Sequence, residues 1–237
     1  MAQKRGAYRS GILNSELDSL ERDLRQELVL FCGWLSRLRF TPGTSGNLSV
    51  RLDPERILVT PTGMSKGLIQ ESDMVIVDLH GNRVSGTRRA TSEIGMHLAV
   101  YRQRQDVGSV VHSHPPIATA FACAGRSLDQ MLCQEAVMTI GAVPLAEYAT
   151  TGTDQVPASL SPFVANHDVI LLANHGAISY GGNIAEAFMK METLEHVAHV
   201  ALAAQQLGSQ RPSSSEQIQD LSKAKDKYLH NSWQDRT

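Results

Sequence analysis

From Asn14 to about Leu38, apolar residues fall at Leu17, Leu20, Leu24, Leu28, Phe31, Leu35 and Leu38. Steps of three and four predict a helix with one buried stripe, stopped by Pro42 and Gly43. The period then shortens to two. NLSVRLDPERILVTPTG alternates apolar and polar residues on both sides of an Asp-Pro-Glu-Arg turn, and MVIVDLHGNRVSG does so around His80 to Asn82. Two β-hairpins are expected.

Thr91 and Ser92 are placed to cap a helix running through Arg102, with Ile94, Leu98 and Tyr101 on its inner side. A β-branched strand ends at His114, a short buried helix covers Ile117 to Ala124, and a surface helix lies near residues 158 to 167. DVILLAN, Asp168 to Asn174, reads as a buried strand ending at His175 and Gly176. The last long helix spans about Ile184 to Leu207 and turns Phe188, Met191, Leu194, Ala198 and Leu202 inward. The polar linker GSQRPSSSEQ then leads into a C-terminal segment, 208–237, free to be partly mobile. Hairpins mixed with helices predict an α/β or α+β architecture with much antiparallel sheet, in a single domain over 1–237.

Charge narrows the partners. The chain has 237 residues, 22 Lys and Arg against 24 Asp and Glu, and no long block of one sign. Nothing here attracts nucleic acid or a membrane surface electrostatically, so a small-molecule partner is expected. Cys32, Cys123 and Cys133 are widely spaced and contain no CxxC pair, which argues against a disulfide framework or a thiolate zinc site and fits a reducing cytoplasm. The basic start MAQKRGAYRSG precedes no apolar leader, and no run approaches the roughly 18 apolar residues of a membrane span.

The candidate chemistry begins at VVHSHPP. Side chains of a strand alternate faces, so His112 and His114 emerge together while Val111 and Ser113 face away. His175, at the end of DVILLANH, adds a third imidazole if the two strands are neighbours; alone, it would read as a hydrogen-bonded core histidine. Three neutral imidazoles suit zinc and leave a coordination position open. Glu93, near a helix start, reads locally as a carboxylate stabilised by the helix dipole. The run Glu192, Glu195, His196, His199 lacks the HExxH order and reads as a solvated helix face, and His97 as a hydrogen-bonded core or near-site residue. Three small-residue stretches, TSGN from Thr44, TPTG from Thr60, and Thr91-Ser92, can bring N–H groups and hydroxyls to an oxyanion, though each alone is an ordinary turn.

In order, TSGNLSVR, VTPTG, TSE, VHSHPP, YATTGT and LLANHGAIS resemble the class II aldolase and adducin family over roughly residues 15 to 207. The resemblance implies a three-layer α/β/α fold with a central, mostly antiparallel sheet, assembled as a homotetramer with active sites between subunits. It makes His112, His114 and His175 zinc ligands, with one zinc per subunit, and Glu93 both a ligand of the resting zinc and the catalytic acid/base. It assigns Thr44, Gly46, Asn47, Thr62, Gly63, Thr91 and Ser92 to the phosphate of a sugar phosphate. The implied reaction is retro-aldol cleavage of a ketose 1-phosphate to dihydroxyacetone phosphate and an aldehyde.

The chain departs from the family's reference aldolase in two places. An ungapped match on YATTGT puts Cys133 where that enzyme brings a catalytic tyrosine from the neighbouring subunit; Tyr228 is a loose counterpart of its C-terminal tyrosine. Glu93 separates the chain from the family's 4-epimerases, which carry aspartate there. A decarboxylase of a 3-oxo-sugar-acid phosphate and a methylthioribulose-phosphate dehydratase keep the glutamate and stay open, as does a non-catalytic adducin-like module, whose mark would be lost metal ligands.

Overall fold

The computed structural model describes residues 2–234, with side chains described from 18 to 225. The elements are α1 (Ala2–Arg37), β1 (Asn47–Arg51), β2 (Arg56–Val59), β3 (Val75–Asp78), β4 (Arg83–Ser85) and α2 (Ile94–Gln103). They continue as β5 (Ser109–Ser113), α3 (Pro116–Cys123), β6 (Leu145–Ala146), α4 (Gln155–Val164), β7 (Val169–Leu172), β8 (Gly176–Gly181), α5 (Ile184–Gln206) and α6 (Ser215–Gln234). One eight-stranded sheet runs β4-β3-β2-β1-β5-β8-β7-β6, antiparallel except between β6 and β7. Two hydrophobic layers cover its faces. Leu48, Val50 and Val111 point toward α1, α3 and α5, whereas Val110, Ile170 and Ile178 meet α2 and α4. This is the expected three-layer α/β/α arrangement.

Both predicted hairpins form, β1 with β2 and β3 with β4. At the second turn, the Asp78 carboxylate accepts from the His80 and Asn82 amides while Gly81 takes φ 86°, so the local sequence closes the turn by itself. The first helix buries its stripe at Leu28, Phe31 and Leu35, but Leu20 and Leu38 are exposed. The helix meets β1 and α5 beside that middle portion. Leu17 lies outside the described side chains, as does Tyr228 in α6.

Three expectations are corrected. The helix near 158–167 begins earlier, at Gln155, and buries Val156, Leu160 and Val164 against the α2 layer, so it is no surface element. The α2 helix begins at Ile94 with Glu93 in the capping position; Thr91 Oγ1 accepts from the Glu93 amide, and Ser92 stays exposed. The strand carrying DVILLAN is not the neighbour of β5, because β8 lies between them.

In the last long helix, Glu192, His196 and His199 are exposed, as a solvated face requires. Glu195 turns inward instead, and its carboxylate accepts from the Ile117 and Ala118 amides at 2.9 Å, which satisfies the free N–H groups at the start of α3. Among the described residues no helix is long and apolar enough to cross a membrane. Replacing Glu195 by Ala is expected to lower unfolding stability by about 1–2 kcal/mol in urea titrations. Metal bound per chain, read by elemental analysis, is expected to stay unchanged, because this carboxylate caps a helix and is remote in role from the histidine cluster.

Candidate metal centre and active site

β5 ends at Ser113, with His112 inside it and His114 one residue beyond. The third histidine arrives by another route. After β7, the chain turns through Ala173, Asn174 and His175 into β8, with Asn174 at φ 57°, a left-handed conformation that asparagine tolerates. β8 pairs with β5, Ser113 opposite Ala177, so His175 and Gly176 come beside His114. Gly176 serves this approach, not a left-handed turn: a Cβ there would lie 2.6 Å from the His114 ring and 2.7 Å from the Ser113 carbonyl. The three ring centroids are 4.7 to 5.0 Å apart, and one ligating nitrogen from each falls within 4.8 Å of the others.

Glu93 approaches from α2. Its Oε2 is 3.3 Å from His112 Nε2 and its Oε1 is 3.2 Å from His175 Nε2. His112 Nδ1 lies 2.9 Å from the Ala177 carbonyl, which can only accept, so Nδ1 carries the proton and Nε2 presents a lone pair. Burial, together with the neighbouring His112 and His175, holds His114 down to about 3, so this ring is neutral at ordinary pH. Glu93 Oε1 is buried with no hydrogen-bond donor. Three imidazole nitrogens gathered beside a buried carboxylate oxygen that has no hydrogen-bond partner make a set that a divalent cation satisfies, and the three-nitrogen, one-oxygen donor set suits zinc.

Behind the carboxylate runs a line of buried polar groups. Asn47 Nδ2 donates to Glu93 Oε2 at 2.8 Å, and Asn47 Oδ1 faces His97 Nε2 at 2.5 Å. His97 Nδ1 meets Ser49 Oγ at 2.7 Å, and Ser49 Oγ meets the Tyr101 hydroxyl at 2.8 Å. An ionised carboxylate only accepts, so every proton in the line has one place: Tyr101 donates to Ser49, Ser49 to His97 Nδ1, and His97 Nε2 to Asn47. His97 must be neutral for this, and burial depresses its pKa from 6.5 to about 3. The expectation of a hydrogen-bonded core histidine therefore holds, and Asn47, expected at the phosphate, spends its side chain on Glu93.

One open cavity of about 460 Å3 is lined by all seven loop residues expected at the phosphate, together with Glu93, His114 and His175. His112 is wholly buried behind it. The cavity also includes Lys66, Thr151 and Gly152. Lys66 and Ser49 are not marked by the sequence, and Tyr101 is marked only as a buried helix residue; a lysine three residues after the TPTG turn looks like ordinary surface, and the partners of Ser49 are some fifty residues away in sequence. Cys133 is half-buried, does not line this cavity in its own chain, and has its thiol pKa raised by burial.

The sequence profile of the Class II Aldolase and Adducin N-terminal domain matches residues 26–202. The chain belongs to the class II aldolase and adducin family. It is 34% identical over 174 residues to an L-fuculose phosphate aldolase of Methanococcus maripaludis, covering 73% of this chain and 93% of that one. It is also 31% identical over 188 residues to a 3-oxo-tetronate 4-phosphate decarboxylase of Escherichia coli O6:H1, covering 78% and 88%. Among solved structures, an L-fuculose 1-phosphate aldolase superposes with a TM-score of 0.80 at 32% identity, over 85% of this chain and 95% of that one. The α/β/α fold of this class II aldolase family member is thus that of its relatives.

The buried histidine has a pH signature. The unfolded chain takes up the His97 proton near pH 6.5 and the folded chain only near 3, so stability falls as pH drops between those values. At pH 5 the loss from this one residue is expected to be about 2 kcal/mol relative to pH 7. Urea unfolding at the two pH values measures it, and His97→Gln is expected to flatten the dependence by a comparable amount.

Proposed function

We propose that this protein is a zinc-dependent class II aldolase that cleaves a ketose 1-phosphate to dihydroxyacetone phosphate and an aldehyde. The observation that carries the reading is the single cavity in which oxyanion-binding loops and a histidine-carboxylate cluster face each other. In this reading His112, His114 and His175 hold the zinc, one per subunit, with Glu93 as the further ligand of the resting site. A zinc ion there supplies a Lewis acid for the carbonyl and adjacent hydroxyl oxygens of the ketose.

The chain's own residues do the rest. Thr44, Gly46, Thr62, Gly63, Thr91 and Ser92 hold the phosphate with hydroxyls and backbone N–H groups, which fixes the breaking bond beside the histidines. The C3–C4 bond of the ketose breaks, the C4 hydroxyl gives its proton to the Glu93 carboxylate as the aldehyde forms, and C3 keeps the electron pair. Glu93 then returns a proton to C3. Asn47 keeps Oε2 of Glu93 occupied, which leaves Oε1, without a protein donor, as the oxygen that carries this proton.

The resemblance to the family supports a cytoplasmic homotetramer with sites between subunits, and such an arrangement would let a neighbour add what Cys133 does not. Exposed Leu30, Trp34 and Met189 on α1 and α5 supply apolar surface for association. A second reading, decarboxylation of a 3-oxo-sugar-acid phosphate, is favoured by the decarboxylase relative and would use the same metal and phosphate ends. A non-catalytic module is disfavoured, because all three histidines and Glu93 are present and converge.

The test is a coupled assay for dihydroxyacetone phosphate on zinc-loaded protein against a panel of ketose 1-phosphates, with a chelated control. Zinc-dependent product is expected. Glu93→Gln is expected to lower kcat by about 10²–10⁴-fold with the fold and the histidine-bound metal retained. A protein shown to hold zinc that yields no product from any ketose 1-phosphate overturns the aldolase. Carbon dioxide release from a 3-oxo acid phosphate would then assign the decarboxylase.

A further inference from the structure

Lys66 is the one charged side chain in the wall of the cavity that the expected chemistry leaves without a task. It follows the Gly63 turn after β2, and the whole side chain is buried, with 1% of its surface exposed. Its ammonium donates to the Met64 carbonyl at 2.7 Å and to the Thr44 carbonyl at 3.1 Å. It therefore ties two of the three small-residue loops together from behind. Carbonyl oxygens satisfy two of its three donors but cancel none of its charge.

Among the described residues no carboxylate lies within ion-pairing distance of Lys66. Glu93 lines the same cavity, but its Oε2 is held by Asn47 and both its oxygens face imidazoles. A buried ammonium without a counter-ion is costly and persists where a neighbouring group, or something that binds, supplies the opposite charge. Burial pulls the lysine pKa below its ordinary value, with Glu93 opposing.

We propose that Lys66 is the specificity-determining cation of this cavity: its buried charge is neutralised by the phosphate monoester of the substrate, so the site selects phosphorylated substrates over their unphosphorylated counterparts. This rests on the reading of the loops as a phosphate site and adds to it the residue that supplies their charge. The loops by themselves offer only neutral donors. Lys66 acts through them, from behind the Thr44 and Met64 peptides, and its field is weakly screened because the side chain is out of water.

The experiment is calorimetric binding of inorganic phosphate, dihydroxyacetone phosphate and unphosphorylated dihydroxyacetone to the zinc-loaded full chain and to Lys66→Met and Lys66→Arg. The wild type is expected to bind the two phosphates. Lys66→Met is expected to weaken both by about 10–100-fold and to leave dihydroxyacetone within about threefold, whereas Lys66→Arg retains most of the phosphate affinity. A purely structural tie between the loops would weaken all three ligands alike and lower the melting temperature in step.

If Lys66→Met does not fold, Lys66→Gln keeps a donor for the carbonyls without the charge and is expected to behave the same way. Phosphate affinity within threefold of wild type in the neutral variants, equal loss for dihydroxyacetone, or no phosphate binding by the wild type overturns the proposal. Binding is read without turnover. A chain that binds phosphate through Lys66 but cleaves no ketose 1-phosphate loses the aldolase reading alone.

Discussion

The site depends on a match of two repeats. In β1, Asn47, Ser49 and Arg51 point to one face of the sheet, and Glu93, which caps α2, lies in line with His97 and Tyr101 on one face of that helix. Two residues of strand advance about 6.6 Å and four residues of helix about 6 Å, so the two sets stay in step over three rungs. Asn47 meets Glu93 and His97, Ser49 meets His97 and Tyr101, and Arg51 donates to the Tyr101 carbonyl at 2.9 Å with its guanidinium over the ring. This ladder sets where the helix begins along the strand, and hence where the Glu93 carboxylate stands relative to the histidines of β5.

The two faces of the sheet carry different burdens. The α1, α3 and α5 face is packed with aliphatic and aromatic side chains and anchors the sheet. The α2 and α4 face combines an apolar core with the polar ladder of Asn47, Ser49, His97 and Tyr101. The histidine cluster stands at the end of β5, a strand with four strands on one side and three on the other. His112 and His114 are consequently positioned by the most interior part of the sheet, and His175 by the β7–β8 hairpin of that same interior.

Much of this was legible because local rules and tertiary demands agreed. The His-x-His period, the two hairpins and the stripe from Leu28 to Leu35 follow from side-chain alternation and burial that any neighbouring layer would enforce. The helix ends were less legible: Leu20 and Leu38 continue the period after the packing partner has ended. Glu195 looked like part of a solvated run because its task, capping a helix 77 residues earlier, has no local trace. Lys66 and the Ser49 rung were hidden for the same reason, since each is defined by partners that only folding brings near. The need for glycine at 176 likewise lies across the sheet, in the ring of His114.

The ends of the sheet have a consequence of their own. β4 has three exposed residues and β6 only two, so both margins of an eight-stranded sheet are too short to template another strand. Growth by strand addition, the route to open fibres, is blocked on both sides. Copies of this chain that meet in a crowded solution must recognise one another through side chains on helices and loops, where contacts can be closed, selective and reversible.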